Sequence, residues 1–260
     1  MTFTPYNEAH SITEMIVYIQ YKSNFSANTV QNLTLLQDDL KEELPVYTEI
    51  HKKEFEIKLN ASEQTNEATQ KDALTGVELK KLNQDRKLEW VLKTTENTIE
   101  IHCLDYSRWK SVLDTILGIY SKVLVRLDTD YLEISRIGFM AVDKYKSEIE
   151  KSKITLTDLI DNNTNWIFPN AFNSTNGLWH SNVGMFKKTK EHEFLNQLDA
   201  NAELLNSTDN LVININHNAI CEVDIKNRGG LESIISMLHK NNKEVLKDIL
   251  STEMAERINL

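Results

Sequence analysis

Apolar and polar positions in the first sixty residues predict a strand, a helix and a second strand. Residues 12–21 are dense in β-branched and aromatic side chains at both parities, which is typical of a central strand covered on both faces. Apolar residues then recur at helical spacing from Asn28, a candidate N-cap, to Leu44, and Pro45 ends this predicted helix. Residues 51–59 alternate between apolar and charged side chains, which predicts a strand with one exposed face.

A polar stretch separates this region from a predicted hairpin. Residues 60–86 are rich in Glu, Gln, Thr, Lys and Asp, and we predict an excursion that is mobile at 61–70 and forms a short helix near Leu79. Two strands at 87–94 and 98–104 then alternate between apolar and polar side chains, which indicates a hairpin.

The most regular periodicity of the chain predicts a helix over 106–127. Its apolar residues form one broad stripe, as expected of a helix that packs on a core. A strand over 131–142 follows, and Gly138 within it predicts either a bulge or a close approach of another group to the backbone.

The second half of the chain has a less regular pattern. In chain order we predict a short helix at 153–160, an Asn-rich loop at 161–176, a strand at 178–187, two strands at 210–216 and 219–225 paired across His217-Asn218, and a helix at 231–250 that begins after Gly229-Gly230.

These elements predict an α+β fold. Runs of strands are interrupted by single helices, which favours antiparallel sheets with long amphipathic helices over a doubly wound parallel sheet. Each half closes a set of strands with a helix, so we predict two similar β-rich halves, residues 1–145 and 146–260, packed as one compact unit. No residue-level repeat is visible, so the pattern leaves open whether the halves are a true duplication.

Composition and charge narrow the class of protein. With 40% apolar residues, a chain of 260 residues can bury a sizeable core. The 39 Asp and Glu residues outnumber the 29 Lys and Arg residues, which argues against general binding of duplex nucleic acid. Neither a signal peptide nor a membrane-spanning segment is visible, and only two cysteines occur. We therefore predict a cytoplasmic protein that does not bind membranes and has reduced thiols.

Two short stretches resemble a sporadically distributed bacterial family of uncharacterised proteins. Residues 135–142 read Ser-Arg-Ile-Gly-Phe-Met-Ala-Val, and residues 238–242 read Leu-His-Lys-Asn-Asn before a helix with an acidic end. The order of the predicted elements is also similar to that family. The resemblance implies no established activity, but it does imply an accessory role of the kind found in antiviral defence or toxin–antitoxin systems.

An acid-x-Lys pattern supplies the alternative function. Glu54, Glu56 and Lys58 alternate along a predicted strand, so their side chains share one face and are placed to hold one metal ion and one water molecule. The same pattern also arises on an ordinary exposed strand of a highly charged chain. A metal-dependent nuclease or hydrolase therefore remains the alternative.

The predicted binding site is centred on Arg136. A guanidinium in an apolar strand needs an internal acid or an external anion, because burying it unpaired is costly. Gly138 lies on the same side and leaves room for a ligand to approach the backbone. We predict that Trp179, His180 and His239 border this site and supply stacking and pH-sensitive hydrogen bonding.

Other chemical motifs are missing from the sequence. It has no pair of metal-binding His residues one helical turn apart, no nucleophile elbow and no Gly-rich phosphate loop. We therefore predict no catalytic residues, no metal and no cofactor. The favoured interpretation is a non-enzymatic binding or accessory protein that recognises a protein partner or a small ligand, whose identity and oligomeric state the sequence leaves open.

Overall fold

The chain folds around one antiparallel β-sheet that carries helices on one face. A computed structural model describes residues 2–7, 10–59, 66–127, 132–150, 154–174, 177–189, 192–205, 210–225 and 230–260. The side chains at 54–59, 66–71 and 224–225 lie outside this description.

Ten strands and five helices make up the described structure, together with two 3₁₀ turns. The strands are β1 (Phe3–Pro5), β2 (Ile12–Tyr21), β3 (Val46–Leu59), β4 (Asn66–Leu82), β5 (Leu88–Thr95), β6 (Thr98–Cys103), β7 (Ile134–Ser147), β8 (His180–Lys188), β9 (Glu193–Leu204) and β10 (Leu211–Ile225). The helices are α1 (Ala27–Leu33), α2 (Leu36–Asp39), α3 (Trp109–Arg126), α4 (Leu231–Ile249) and α5 (Thr252–Arg257). The 3₁₀ turns are Leu156–Asp158 and Pro169–Asn173.

β2 and β7 stand at the centre of the sheet and pair antiparallel, with Val17 opposite Phe139. On the β2 side follow β6, β5, β4 and β3, and on the β7 side follow β10, β9 and β8. The short β1 pairs with the end of β7. β2 pairs with β6, the last strand of the meander β3–β6, and α3 then follows; β7 pairs with β10, the last strand of the meander β8–β10, and α4 then follows. The two sides of the sheet are therefore built in the same order.

The two faces of the sheet differ in burial, because successive side chains of a strand point to opposite sides. In β2 the odd-numbered positions from Met15 to Tyr21 are buried beneath the helices, and the even-numbered positions from Glu14 to Gln20 are partly exposed. We call the second side the open face. It is defined by the even-numbered residues among 14–20 of β2, 136–146 of β7 and 212–222 of β10, and by the residues opposite them on neighbouring strands. None of the described helices packs on it.

The core consists of two apolar clusters on the covered face. The first lies between the central strands and α1, α2, α3 and the first half of α4, and it includes Phe139 and Leu238. The second lies under the end of α4, under α5 and under the segment that contains Trp166. Because α4 contributes Leu238 to the first cluster and Ile249 to the second, it connects the two.

The prediction of an α+β fold with antiparallel sheets and long amphipathic helices is wrong, because the fold is dominated by a single sheet. The described structure is mostly antiparallel strand, and only three described helices reach seven residues. The strands that the pattern placed in separate sets join in one sheet through the pairing of β2 with β7. A hydrophobic pattern indicates a strand but does not name its partner.

Several predicted elements in the first half also differ. Ser26, not Asn28, caps α1, since its Oγ accepts a hydrogen bond from Thr29 N at 3.1 Å, and the predicted continuous helix is divided into α1 and α2. The short helix predicted near Leu79 is wrong, because Leu79 lies within β4 and is fully buried in the sheet. Of the predicted mobile segment 61–70, residues 61–65 lie outside the described residues, and residues 66–70 belong to β4.

The second half contains one strand that the pattern divided and one that it missed. β10 runs without a turn through His217 and Asn218, because both residues pair with β7 and β9 on either side. The hairpin predicted across that dipeptide is therefore wrong. β9 was assigned to no strand, although its even-numbered residues from Phe194 to Ala202 are buried.

The sheet continues across the predicted boundary between residues 145 and 146, which lies near the end of β7. The division into two halves stays a prediction. No helix within the described ranges is both long and apolar enough to cross a membrane.

Candidate functional site

Arg136 lies near the start of β7, and its side chain points to the open face and is half exposed. Its Nε and Nη2 atoms donate hydrogen bonds of 3.3 Å and 3.0 Å to one carboxylate oxygen, Oε1 of Glu222 on β10. The Glu222 side chain is 77% exposed. The premise that Arg136 is buried in an apolar strand is therefore wrong. The ion pair is exposed to solvent, and exposed ion pairs contribute little to the free energy of unfolding.

A cleft of about 620 Å³ opens beside this pair, where the ends of β2, β7 and β10 meet the turn between β5 and β6. We call it the Arg136 cleft. Its lining residues are mostly polar: Gln20, Tyr21, Lys22, Asn97, Ser135, Arg136, Glu222 and Val223.

Hydrogen bonds to the main chain hold the elements of the Arg136 cleft together. Asn97 Nδ2 donates to Tyr21 O at 2.8 Å, and Tyr21 N donates to Asn97 O at 2.8 Å, which ties the β5–β6 turn to β2. Ser135 Oγ donates to Gln20 O at 3.1 Å, which ties β7 to β2. These bonds fix the positions of β2, β7 and the β5–β6 turn around the cleft.

A charged ligand can replace the present partners of the charged side chains at the cleft. Lys22 Nζ lies 2.9 Å from Glu133 Oε2, and both of these side chains are partly exposed, as in the pair of Arg136 with Glu222. Both bonds of Arg136 reach a single oxygen, so the two-pronged guanidinium is not matched by two acceptors. A carboxylate or phosphate that offers two oxygens would match it better.

Gly138 contributes no space for a ligand, which corrects the prediction made for it. The ring of Tyr18 lies across Gly138, and a Cβ atom at that position would overlap the ring. Tyr18 Oη then donates a hydrogen bond to Asn218 Oδ1 at 3.3 Å on the far side of β7. Burial of the phenol raises the pKa of Tyr18. The close approach inferred from the glycine is made by a side chain of the protein itself.

Trp179 and His180 lie far from the Arg136 cleft, so the structure does not bring them together with Arg136. Pairings through β9 place His180 level with Asn214 of β10. Glu222, the partner of Arg136, lies eight residues further along β10 (222 − 214), which is about 27 Å at the rise of an extended strand.

His239 is separated from the cleft by the sheet. Its ring stacks on Trp109 with a centroid distance of 3.8 Å, and it meets the edge of Phe139 at 5.7 Å on the covered face. Burial, together with the charge of Lys243, lowers the pKa of His239 to about 4. His239 is therefore a neutral core residue and not a border of the predicted site.

The open face also carries a charged cluster that no sequence pattern predicted. His102 Nδ1 lies 2.8 Å from Glu14 Oε1, and its Nε2 lies 3.6 Å from Glu100 Oε2. Burial lowers the pKa of His102, but the nearby carboxylate of Glu100 and the hydrogen-bonded carboxylate of Glu14 outweigh it and raise the pKa to about 9. The alternation in β6 shows that Glu100 and His102 share a face. Only the pairing of β6 with β2 adds Glu14.

A buried polar network under α4 was missed as well. His217 Nε2 donates to Asn196 Oδ1 at 3.1 Å, and His217 Nδ1 accepts from Asn242 Nδ2 at 2.8 Å. Asn241 Nδ2 also donates to Asn196 Oδ1. Burial lowers the pKa of His217 to about 4, so the ring is neutral. The network shows that Asn241 and Asn242, which belong to the stretch carrying the resemblance, fasten α4 to the sheet.

No group of three His, Cys, Asp or Glu side chains within the described ranges is arranged to hold a metal ion. The side chains of Glu54, Glu56 and Lys58 lie outside the description, so the alternative site stays a prediction. Both thiols are buried, and burial raises the pKa of Cys103 to about 12 and that of Cys221 to about 11. Neither thiol is therefore an activated nucleophile.

Comparison of the chain with models of known protein families gives no match, and comparison with curated proteins gives none either. The resemblance at residues 135–142 and 238–242 therefore stays a prediction, and the argument for function depends on the geometry of the site.

Proposed function

We propose that this chain is a non-enzymatic binding protein that recognises a carboxylate or phosphate group in the Arg136 cleft. The observation that carries the proposal is the half-exposed guanidinium of Arg136 at the wall of a cleft of about 620 Å³. A cleft of this volume is typical of ligand sites. The anionic group belongs either to a small ligand or to an acidic segment of a protein partner.

Exchange of partners at Arg136 is the proposed binding step. The incoming anion displaces the exposed Glu222, and the displaced carboxylate stays in water, so no charge is left buried and unpaired. Lys22 adds a second cation on the same cleft. Two-pronged binding by the guanidinium then favours a ligand with two oxygens over the single oxygen of Glu222.

The proposed setting is an accessory protein of the bacterial cytoplasm. The resemblance at residues 135–142, which includes Arg136, supports an accessory role of the type found in antiviral defence or toxin–antitoxin systems. The net charge of −10 supports a partner other than duplex nucleic acid.

Calorimetric titration tests the proposal with citrate, inorganic phosphate and a Glu-rich peptide as separate probes. We expect binding of at least one probe, a loss of at least tenfold in affinity for Arg136→Ala, and a gain for Glu222→Gln because this substitution frees the guanidinium. Binding of citrate or phosphate would indicate a small ligand, and binding of the peptide alone would indicate a protein partner.

Arg108→Ala is the matched control, because Arg108 is exposed at the start of α3 and remote from the cleft. It should leave the affinity unchanged, and all variants should retain the melting temperature of the wild type within about 2 °C, since an exposed ion pair contributes little to stability. Absence of binding of every probe by both the wild type and Glu222→Gln would contradict the proposal.

A further inference from the structure

One edge of the sheet is unpaired along the whole of β8. This strand pairs with β9 on one side and with no described strand on the other, and its pairing runs without a bulge from His180 to Lys188. Antiparallel strands turn the main-chain N–H and C=O groups of every second residue to each side, so the outer edge of β8 presents a row of free hydrogen-bonding groups.

Natural proteins usually blunt such an edge with a proline, a bulge, a covering segment or charged side chains. β8 contains no proline and no bulge, and its two lysines are confined to its last two positions, Lys187 and Lys188. No described strand pairs with this edge, and the Trp166 segment meets β8 near its start, where Ser181 Oγ donates a hydrogen bond to Trp166 O at 3.3 Å. The strand is therefore long, regular and open.

The side chains of β8 add apolar surface to this edge. Phe186 is 72% exposed on the open face. On the covered face Val183 and Met185 pack at the border of the second core cluster and are only partly buried. Between them Gly184 has no side chain, and a Cβ atom built there would meet nothing closer than Leu195 Cδ1 at 3.9 Å.

We propose that two copies of this chain associate through β8, antiparallel about a two-fold axis at Gly184, so that the two sheets become one. A two-fold interface must be self-complementary, because the same surface serves both copies. With Gly184 opposite its equivalent, Met185 lies opposite Val183 of the second copy. The partly buried residues at the border of the second core cluster in one copy therefore meet the equivalent residues of the second copy.

The charges at the two ends of β8 fit this antiparallel register. Lys188 lies opposite His180 of the second copy, and it makes no ion pair within the described part of its own chain. His180 Nε2 lies 2.9 Å from Asp199 Oδ2, so a carboxylate is present beside His180. Lys188 can reach this carboxylate, and the two-fold axis produces the same contact twice. A parallel arrangement would bring the lysines of the two copies together.

The association is expected to depend on concentration. Nine-residue strands bury less surface than a standard interface, which places this contact with weak and reversible complexes. The proposal is independent of the Arg136 cleft, because β8 contributes no residue to that cleft.

Sedimentation velocity between about 10 and about 500 µM tests the proposal by following the mass of the species. The wild type should shift from monomer to dimer. Gly184→Lys should remain monomeric, since two lysines would meet at the axis, and Gly184→Glu alone should remain monomeric for the same reason. An equimolar mixture of the two variants should form a dimer again, because Lys then meets Glu.

Gly118→Lys is the matched control, since a Cβ atom at Gly118 on α3 meets nothing within 4 Å and the substitution adds the same charge far from β8. It should associate as the wild type does. A wild type that stays monomeric at the highest concentration would overturn the proposal, as would a Gly184→Lys variant that dimerises normally.

Discussion

At the scale of single residues, the least expected group is a carboxyl buried without a cation. Asp143 on β7 is 1% exposed and accepts a hydrogen bond of 2.6 Å from Ser11 Oγ, which in turn accepts one of 3.0 Å from Tyr145 Oη. Its second oxygen has no hydrogen-bond partner within the part of the chain that the structure describes. Burial raises the pKa of Asp143 to about 6, although the bond from Ser11 opposes the change.

The raised pKa of Asp143 predicts a loss of stability as the pH rises. Between the ordinary value of 3.8 and about 6 the folded protein holds the proton more tightly than the unfolded chain, so the penalty appears across this window and is complete above it. It is on the order of 3 kcal/mol. In urea unfolding, Asp143→Asn should therefore gain stability relative to the wild type from pH 4 to pH 7.

The comparison of Asp143→Asn with the wild type isolates one group, because the other carboxylates contribute equally to both proteins. A difference in stability that stays constant from pH 4 to pH 7 would show that Asp143 ionises as freely in the folded protein as in the unfolded chain.

At the scale of elements, the packing of β2 on β7 depends on the fit of Tyr18 over Gly138. The ring crosses β7 only because position 138 has no side chain, and its hydroxyl then reaches Asn218 on β10. Three neighbouring strands are thus joined on the open face by one side chain. A glycine usually weakens a strand, but Gly138 is required here because the ring of Tyr18 opposite it occupies the space of a side chain.

Gly138→Ala is expected to destabilise the protein by about 1–3 kcal/mol, because the new methyl group must displace the Tyr18 ring. With Tyr18→Ala already present, the same substitution should cost clearly less. Thermal and urea unfolding of the two single variants and the double variant measure this coupling.

Gly184→Ala is the control for this pair, since it adds a methyl group to the same face where the nearest atom lies at 3.9 Å. It should change stability little. Strict additivity of the Tyr18 and Gly138 substitutions would mean that the ring moves aside freely.

At the scale of the whole molecule, the sheet unites elements from both ends of the chain. β2 from the first half pairs with β7, and β7 pairs with β10 from the second half. α4 contributes to both core clusters. Neither half can therefore lose its strands without uncovering the apolar residues of the other.

This arrangement predicts a single cooperative unfolding transition. Trp90 and Trp109 report on the first predicted half, and Trp166 and Trp179 report on the second. Variants that keep only one pair of tryptophans should give the same urea midpoint by fluorescence, and both midpoints should coincide with the loss of strand signal in circular dichroism. Two separate midpoints would show that the halves unfold independently.

Sequence patterns predicted the elements best where one period dominates. The helix predicted over 106–127 is present as α3, and the strand predicted over 12–21 is β2. The prediction that this strand is covered on both faces is wrong, because its even-numbered residues from Glu14 to Gln20 are partly exposed on the open face. The pattern failed at Leu79, because the surrounding polar residues hide a strand whose register is set by its neighbours β3 and β5. It failed at His217 because a buried polar residue within a strand resembles a turn.

The candidate site was predictable only in part. The sequence singles out Arg136, which does line a cleft of about 620 Å³, but Gln20 and Glu222 come to it from strands, and Asn97 from a turn, whose placement no pattern reveals. The prediction that His239 borders the site of Arg136 is wrong. His239 packs on Phe139, and Phe139 and Arg136 lie on opposite faces of β7.

The sequence by itself determined that residues 12–21 form a strand, that α3 carries an apolar stripe, and that the chain has a net charge of −10. Those properties are local or summed over the chain, so they do not depend on which segments meet. Only the tertiary structure decided that all the strands join in one sheet, that Tyr18 fills the space above Gly138, and that β8 is left at an edge. Segments that are far apart in the sequence have similar patterns, so the pattern does not select which strands pair. The free energy that selects a pairing comes from contacts that form only in the folded protein.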